Sequence, residues 1–108
     1  MSEELVLAEK RDHIQILTLN RPADMNAFNT ALASALGEAL ETMDADPDIR
    51  VGVLTGAGRG FSAGMDLKQF ADGGINAMPN VADRGFAGIT EKSCAKPLIA
   101  AVEGFALA

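Results

Sequence analysis

Short apolar runs along the chain predict four β-strands. Residues 5–9 and 14–20 are rich in Val, Ile and Leu, and the polar stretch 10–13 between them fits a hairpin turn. Residues 51–55 and 98–102 are two further apolar runs. Their short length and branched side chains favour buried strands over helices.

A helical period lies between the second and third of these runs. Leucine or methionine recurs at spacings of four, four and three residues, at Leu32, Leu36, Leu40 and Met43. These spacings place the side chains on one face of an α-helix, so we expect the stripe to lie in the core. Asn29 is a residue type that caps helix N-termini, and Asp46 and Pro47 end the pattern. The predicted helix therefore starts after Asn29 and ends at about Met43.

Two further helical stretches are predicted, at residues 63–71 and 81–93. The second contains Gly85 and Gly88, which weaken a helix. Residues 71–80 are rich in Gly, Asn and Pro, a composition typical of a surface loop.

This order of elements predicts an α/β fold. Apolar strands joined by helices form parallel sheets with right-handed crossovers. The 108 residues contain no linker, internal repeat or low-complexity tract, so we expect a single domain. Residues 99–108 form an apolar run without a polar end. We expect the natural protein to continue past it, or a partner subunit to cover it, because it would otherwise expose a strand edge.

Composition and charge argue against several classes of function. Asp and Glu outnumber Lys and Arg by 15 to 9, and the net charge of -6 repels phosphate backbones. The chain has no Trp or Tyr to stack on bases. No apolar run reaches the roughly 18 to 20 residues of a membrane span, and the acidic start lacks the cationic region of a signal peptide. We therefore expect a cytoplasmic protein that binds neither nucleic acid nor membrane.

Metal ligands and reactive side chains are few. His13 and Cys94 are the single histidine and cysteine, so the chain cannot form an internal disulfide and no metal site is expected. His13 is predicted in the hairpin, away from catalysis, and Cys94 as a small buried residue rather than a nucleophile. Three aspartates alternate at 44, 46 and 48, but a calcium loop would also need a central glycine and a distal glutamate.

The stretch GFSAGMDL, residues 60–67, concentrates small side chains around one acid at the end of a predicted strand. One interpretation is a dinucleotide-binding loop, because residues 58–63 match G-x-G-x-x-A and Asp83 lies 20 residues beyond Ala63. That motif should open a long helix, yet glycines at 73 and 74 interrupt it.

A second interpretation is an oxyanion hole, in which two backbone N–H groups stabilise negative charge on a carbonyl oxygen. Small side chains let the carbonyl approach. Residues 62–64 are one candidate segment, and residues 104–108, after the next strand, are another. The ends of adjacent parallel strands lie on the same side of a sheet, where ligands usually bind.

Three segments resemble the successive signatures of the crotonase family, also called the enoyl-CoA hydratase/isomerase superfamily. They are LNRPADMNAFN (19–29), DPDIRVGVLTGAGRGFSAGMDLKQF (46–70) and KPLIAAVEGFALA (96–108). The resemblance covers nearly the whole chain. It implies a spiral of strand–strand–helix units and an acyl-CoA substrate. It also implies that residues 1–108 are the N-terminal part of a single crotonase-like domain, truncated before the catalytic acid and base.

The resemblance assigns roles to particular residues. The backbone N–H of Ala63 is expected to be the first oxyanion donor, with a second donor just beyond Ala108. The residues expected beside coenzyme A are Ala23, Asp24, Met25 and Ala27 in one loop, and Ala63, Gly64, Met65, Asp66 and Leu67 in the other. Coenzyme A arrives as part of the substrate, so no metal or other cofactor is expected.

The reaction itself stays open. The two glutamates that serve hydratases as acid and base would follow residues 104–108, and Glu103 is expected on a strand instead. We expect an enoyl-CoA hydratase, with an enoyl-CoA isomerase or a non-catalytic CoA-binding subunit as alternatives. By resemblance, the protein is expected to form a homotrimer or a dimer of trimers.

Several of these residues also have simpler interpretations. Asp66 can cap a helix, face a ligand, or do both. Arg59 is either a solvated loop arginine or a contact to a CoA phosphate. Met25 and Met65 are candidates for the wall of an apolar ligand channel.

Overall fold

The computed structural model describes residues 4–74 and 78–107. The elements in chain order are β1 (Val6–Arg11), β2 (Ile14–Leu19), α1 (Thr30–Ala45), β3 (Val51–Gly56), α2 (Leu67–Gly73), β4 (Asn80–Val81), β5 (Gly85–Phe86) and β6 (Leu98–Ala100). Two short 3-10 helices lie at Pro22–Asp24 and Ala82–Arg84. The four strands predicted from the apolar runs are confirmed as β1, β2, β3 and β6.

The main sheet has the strand order β1-β2-β3-β6. β1 and β2 form an antiparallel hairpin, while β2, β3 and β6 are parallel, with Ile14 opposite Val51 and Gly52 opposite Leu98. The prediction of an α/β fold with a parallel sheet is therefore confirmed. Parallel order brings the carboxyl ends of β2, β3 and β6 to one edge of the sheet.

Helix α1 packs the predicted apolar stripe into the core. Leu32, Leu36, Leu40 and Met43 are all 0% exposed, and they join Leu17, Leu19 and Leu54 of the sheet in one cluster. The Asn29 side chain accepts the Leu32 N–H over 2.8 Å, and Asp46 is the C-cap. The predicted helix is confirmed, including its cap.

The helix predicted at residues 81–93 is wrong. The structure has a two-stranded sheet of β4 and β5, with a 3-10 helix between its strands and turns after it. Gly85 and Gly88 adopt φ of 77° and 80°, a left-handed conformation that interrupts an α-helix. The buried Arg84 side chain donates to the Gly88 carbonyl over 2.7 Å and stabilises the turn.

The helix predicted at residues 63–71 starts later than expected. Ser62 and Met65 form isolated bridges to Ala106 and Phe28, Gly64 between them adopts φ of 91°, and α2 begins only at Leu67, after the N-cap Asp66. Its C-cap is Gly74. The predicted surface loop at 71–80 is thus partly helical, and its residues 75–77 lie outside the described residues.

The segment after β6 also differs from its prediction. β6 ends at Ala100, so Glu103 is exposed and lies beyond the strand rather than on it. No helix in the described parts of the chain combines the length and apolar character needed to cross a membrane.

Candidate functional site

Three segments meet at the carboxyl edge of the parallel strands. They are loop 20–29 after β2, loop 57–66 after β3, and segment 101–107 after β6. Phe28 pairs with Met65, and Ser62 pairs with Ala106, both in parallel bridges. Loop 57–66 therefore lies between the other two segments and is held by backbone hydrogen bonds from both sides.

A cavity of about 310 Å³ lies where loops 20–29 and 57–66 meet. Its lining residues are Ala23, Asp24, Met25, Ala27, Ala63, Met65, Asp66, Leu67 and Lys68. The structure thus brings together all of the residues predicted to contact coenzyme A except Gly64, which is buried. Their contact with a ligand stays a prediction.

The Ala63 N–H is already engaged inside the protein. It donates to the Met25 carbonyl over 2.9 Å and joins loop 57–66 to loop 20–29. An amide in such a bond is not free to stabilise charge on a substrate oxygen. The expectation that Ala63 supplies the first oxyanion donor is therefore corrected: its N–H is a structural contact between the loops.

Within residues 61–66, the Met65 N–H is the one backbone N–H without an acceptor among the described residues. The Gly64 carbonyl accepts the Phe28 N–H over 2.6 Å, and in a trans peptide the next N–H points the opposite way. The Met65 N–H therefore points away from Phe28 and loop 20–29. Among residues 4–74 and 78–107 it has no hydrogen-bond acceptor. The sequence had led us to expect the free N–H at Ala63, two residues earlier.

Asp66 combines a helix cap with an ion pair. Its carboxylate accepts the N–H groups of Lys68 and Gln69, over 3.0 and 3.1 Å, at the start of α2. It also lies 2.9 Å from the Arg21 guanidinium. The Gln69 N–H, acting against the effect of burial, holds the pKa of the Asp66 carboxyl below its ordinary value, and Arg21 lowers this pKa further. The predicted capping role is confirmed.

Arg21 is a site residue that sequence analysis missed. Besides Asp66, its guanidinium donates to the Ala27 carbonyl over 2.8 Å and lies 3.4 Å from the Asp24 carboxylate. The pattern of hydrophobic and polar positions does not predict the role of Arg21, because its partners lie in loops whose conformation depends on the tertiary fold. Arg21, Asp66 and Lys68 also line a second cavity of about 500 Å³.

The remaining sequence candidates lie elsewhere. His13 is exposed in the β1–β2 turn and bonds the Asp48 carbonyl over 2.8 Å, at the opposite end of the sheet. Burial raises the pKa of the half-buried Cys94 thiol, and Asp44 adds to this, which disfavours a reactive thiolate. Arg59 is exposed. Within the described residues, no cluster of His, Cys, Asp or Glu could hold a metal ion.

The dinucleotide-loop interpretation is wrong. The helix after the glycine-rich loop is the short α2, Leu67–Gly73, rather than a long helix whose N-terminus faces a pyrophosphate. Asp83 is exposed in a 3-10 helix instead of lying at the end of a strand.

The fold and these loops place the chain in a known family. Residues 9–108 match the family described as Enoyl-CoA hydratase/isomerase, and the chain belongs to that family. The resemblance to the crotonase superfamily noted from the sequence is thereby confirmed.

Individual relatives agree with this assignment. Enoyl-CoA hydratase EchA19 of Mycobacterium tuberculosis is 44% identical to this chain, and the match covers 94% of this chain and 40% of that protein. The 2,3-dehydroadipyl-CoA hydratase of Escherichia coli is 43% identical, with coverages of 99% and 41%. The crystal structure of enoyl-CoA hydratase EchA1 from Mycobacterium marinum has a TM-score of 0.85 at 53% identity, covering 94% of this chain and 39% of that one. The chain spans about 40% of the length of these relatives.

Proposed function

We propose that the full-length protein carrying this chain is an acyl-CoA enzyme that hydrates an enoyl-CoA thioester. The observation that carries the proposal is the Met65 N–H, which has no acceptor among the described residues and belongs to a residue that lines a cavity at the carboxyl edge of the sheet. Membership in the enoyl-CoA hydratase/isomerase family and the names of its relatives support the same reaction class.

The chemistry explains why a free amide matters. When water adds to the double bond of an enoyl thioester, a base takes one proton from the water as its oxygen bonds to the β-carbon, and the π electrons place negative charge on the thioester oxygen. An acid then protonates the α-carbon, and the thioester carbonyl re-forms. A backbone N–H aimed at that oxygen stabilises the charge, and losing one such donor typically costs about 2.7 to 4 kcal/mol. We assign the first donor to Met65.

A second donor is proposed just beyond Ala108. Segment 105–107 lies beside Ser62, with the Phe61 N–H donating to the Phe105 carbonyl over 2.9 Å and the Leu107 N–H donating to the Ser62 carbonyl over 2.9 Å. Because the pairing is parallel, chain that continues from this segment runs alongside Gly64 and Met65. An N–H there would converge with that of Met65 on one oxygen.

Coenzyme A is proposed to enter as part of the substrate, and no other cofactor is invoked. The cavity between the loops has an apolar wall that includes Met25, Ala27 and Met65, and Lys68 lies at its rim. An ammonium group suits the phosphates of coenzyme A, while the thioether wall suits flat or aliphatic parts of the ligand. Ala23, Asp24, Gly64, Asp66 and Leu67 complete the proposed binding segment.

The proposed donor is tested by replacing the Met65 N–H with an ester oxygen, using the α-hydroxy acid of methionine in the full-length protein. We expect kcat for crotonyl-CoA hydration to fall by about 10²- to 10³-fold with little change in acyl-CoA binding. Loss of ultraviolet absorbance of the conjugated thioester reports the rate. The matched control is the same ester at residue 63, which removes the bond to Met25 and lowers stability. Equal losses of kcat at 63 and 65, or none at 65, would overturn the assignment.

The titratable side chains that line the cavity are poor candidates for the catalytic acid and base, so we place both groups outside this chain. These side chains are Asp24, Asp66 and Lys68. Asp66 is occupied by helix N–H groups and Arg21, and Asp24 lies near the same guanidinium. Isomerisation of the double bond, or binding without catalysis, stays the alternative function. Turnover of a 3-enoyl-CoA without hydration of a 2-enoyl-CoA would select the isomerase, and acyl-CoA binding with neither reaction would select the non-catalytic subunit.

A homotrimer, or a dimer of trimers, in the cytoplasm is part of the same proposal. Ile99, Val102 and Leu107 are large apolar side chains that are more than half exposed in this chain. Sedimentation of the full-length protein tests the assembly, and a stable monomer would contradict it.

A further inference from the structure

The Asn26 side chain is buried at the junction of the two loops, with 0% of its surface exposed. Its backbone adopts φ of 54°, in the left-handed region that asparagine enters more readily than most residues. A buried amide must satisfy its donors and acceptor, so its partners fix its position. Asn26 is therefore a buried residue that fixes the local structure through hydrogen bonds, rather than an exposed turn residue.

The hydrogen bonds of Asn26 join the two loops directly. Its Oδ1 accepts the Arg21 N–H over 2.8 Å within loop 20–29. Its Nδ2 lies 2.8 Å from the Ala57 carbonyl and 3.2 Å from each of the Gly60 and Phe61 carbonyls. The two N–H groups of this one carboxamide are thus shared among three carbonyl groups of loop 57–66.

The fold leaves space for this carboxamide at Gly56. A Cβ atom there would lie 2.9 Å from Asn26 Nδ2, and only 2.4 Å from the Phe61 carbonyl oxygen. Any larger residue at the end of β3 would displace the carbonyl groups that Asn26 holds. The Asn26 side chain can therefore occupy its position only because residue 56 is a glycine.

A relay of hydrogen bonds continues from Asn26 towards Met65. The Ser62 hydroxyl is buried, donates to the Asn26 carbonyl over 2.8 Å, and accepts the Gly64 N–H over 3.0 Å. The peptide bond between Gly64 and Met65 carries the free N–H. Its direction consequently depends on where Asn26 holds loop 57–66.

We propose that Asn26 is the positioning residue of the site: it fixes loop 57–66 so that the Met65 N–H meets the thioester oxygen. Asn26 does not touch the substrate and acts through Ser62 and Gly64. The role of Asn26 in holding loop 57–66 is argued from the contacts above. Its role in positioning the Met65 N–H for catalysis rests on the proposed function.

The first test needs no ligand. In the full-length protein, Asn26→Gly keeps the left-handed backbone accessible and removes only the carboxamide. We expect amide hydrogen exchange to accelerate across residues 61–64, whose N–H groups donate to Phe105, Met25 and Ser62 while Asn26 holds the loop. Ile49→Val is the control, because Ile49 is buried at the other end of α1 and its loss of one methylene lowers stability without touching either loop. Ser62→Ala is a milder variant and should accelerate exchange mainly at Gly64.

The second test reads the position of the donor. The carbonyl stretch of ¹³C-labelled crotonyl-CoA should shift to lower frequency when wild-type protein binds it, because the carbonyl accepts hydrogen bonds. In Asn26→Gly and Asn26→Asp we expect most of this shift to disappear. We also expect kcat to fall by about 10- to 100-fold with little change in KM, since small misplacements of a catalytic group cost this much. Ile49→Val should retain both the shift and kcat.

The outcomes separate the two proposals. Unchanged exchange in Asn26→Gly, or equal changes in Ile49→Val, would overturn the role of Asn26 in holding the loop. Faster exchange with a retained carbonyl shift and kcat would overturn its role in positioning the donor. If wild-type protein binds no acyl-CoA, the proposed function fails, and the exchange measurement still decides whether Asn26 holds the loop.

Discussion

The Arg21 guanidinium lies 2.9 Å from the Asp66 carboxylate, and this ion pair ties the loop after β2 to the first turn of α2. Both side chains are largely buried, with 19% and 12% of their surfaces exposed. Asp66 also caps α2, so one carboxylate fixes both the start of the helix and its distance from the neighbouring loop. A substitution of Asp66 therefore affects both the helix cap and the ion pair with Arg21, and different substitutions can separate these two interactions.

Asp66→Ala and Asp66→Asn form a pair that separates the cap from the ion pair. The alanine variant loses both interactions, whereas asparagine can still accept the helix N–H groups. We expect Asp66→Ala to lower the free energy of unfolding by about 1 kcal/mol more than Asp66→Asn, the usual contribution of a cap. Urea denaturation of the full-length protein measures the difference. Equal effects of the two variants would show that the cap contributes little.

The lowered pKa of Asp66 predicts a loss of stability in acid. A carboxyl group whose pKa is lower in the folded state stabilises the fold above its unfolded pKa, about 3.9, and loses this contribution as the pH falls through the folded pKa. The stability advantage of wild type over Asp66→Asn should therefore shrink as the pH is lowered below about 4. Urea midpoints of both proteins across this range provide the measurement. A constant difference would contradict the prediction.

Gly60 is predicted to tolerate no side chain while Phe105 is present. A Cβ at residue 60 would lie 2.5 Å from the Phe105 ring, so Gly60→Ala should lower the free energy of unfolding by about 1 to 3 kcal/mol through overpacking. The double variant Gly60→Ala with Phe105→Leu should lose less than the sum of the two single changes. A double-mutant cycle measures this coupling, and strict additivity would rule out the steric explanation.

The leucine stripe of α1 is predicted to dominate the stability of the core. Leu36 is 0% exposed, and Leu36→Ala should lower the free energy of unfolding by about 2 to 5 kcal/mol because it leaves a cavity. Ser34→Ala, at an exposed position of the same helix, is the control and should change little. Denaturant melts that place both variants within about 0.5 kcal/mol of each other, the usual range of surface substitutions, would contradict a core role.

Much of the fold could be predicted because its signals are local. The stripe from Leu32 to Met43 repeats with the period of a helix, and Asn29 caps it with the residue type that caps prefer. The helix predicted at 81–93 failed because its conformation depends on a tertiary contact. The buried Arg84 pairs with the Glu41 carboxylate on α1, and no local pattern shows which arginine will be buried.

The candidate site was predictable as a region but not at the level of single amide groups. The small residues of loop 57–66 and their place after a strand identify the region. Which N–H is free depends on pairing with Met25 and Phe28, residues far away in sequence. In a regular extended chain the N–H groups of Ala63 and Met65 would point to the same side, but Gly64 between them adopts φ of 91° and breaks this alternation, so the sequence alone could not separate Ala63 from Met65.

The contact between Gly60 and Phe105 has a consequence for how the protein is made. The Phe61 and Ser62 N–H groups both donate to the Phe105 carbonyl, so the loop after β3 lacks these partners until the segment after β6 has been synthesised and has docked. On the ribosome, α1 and the first three strands can assemble earlier, because the pairing of β1 with β2 and of β2 with β3, and most of the core cluster around α1, lie within residues 4–56. The catalytic architecture proposed here is therefore among the last parts of this chain to become ordered during translation.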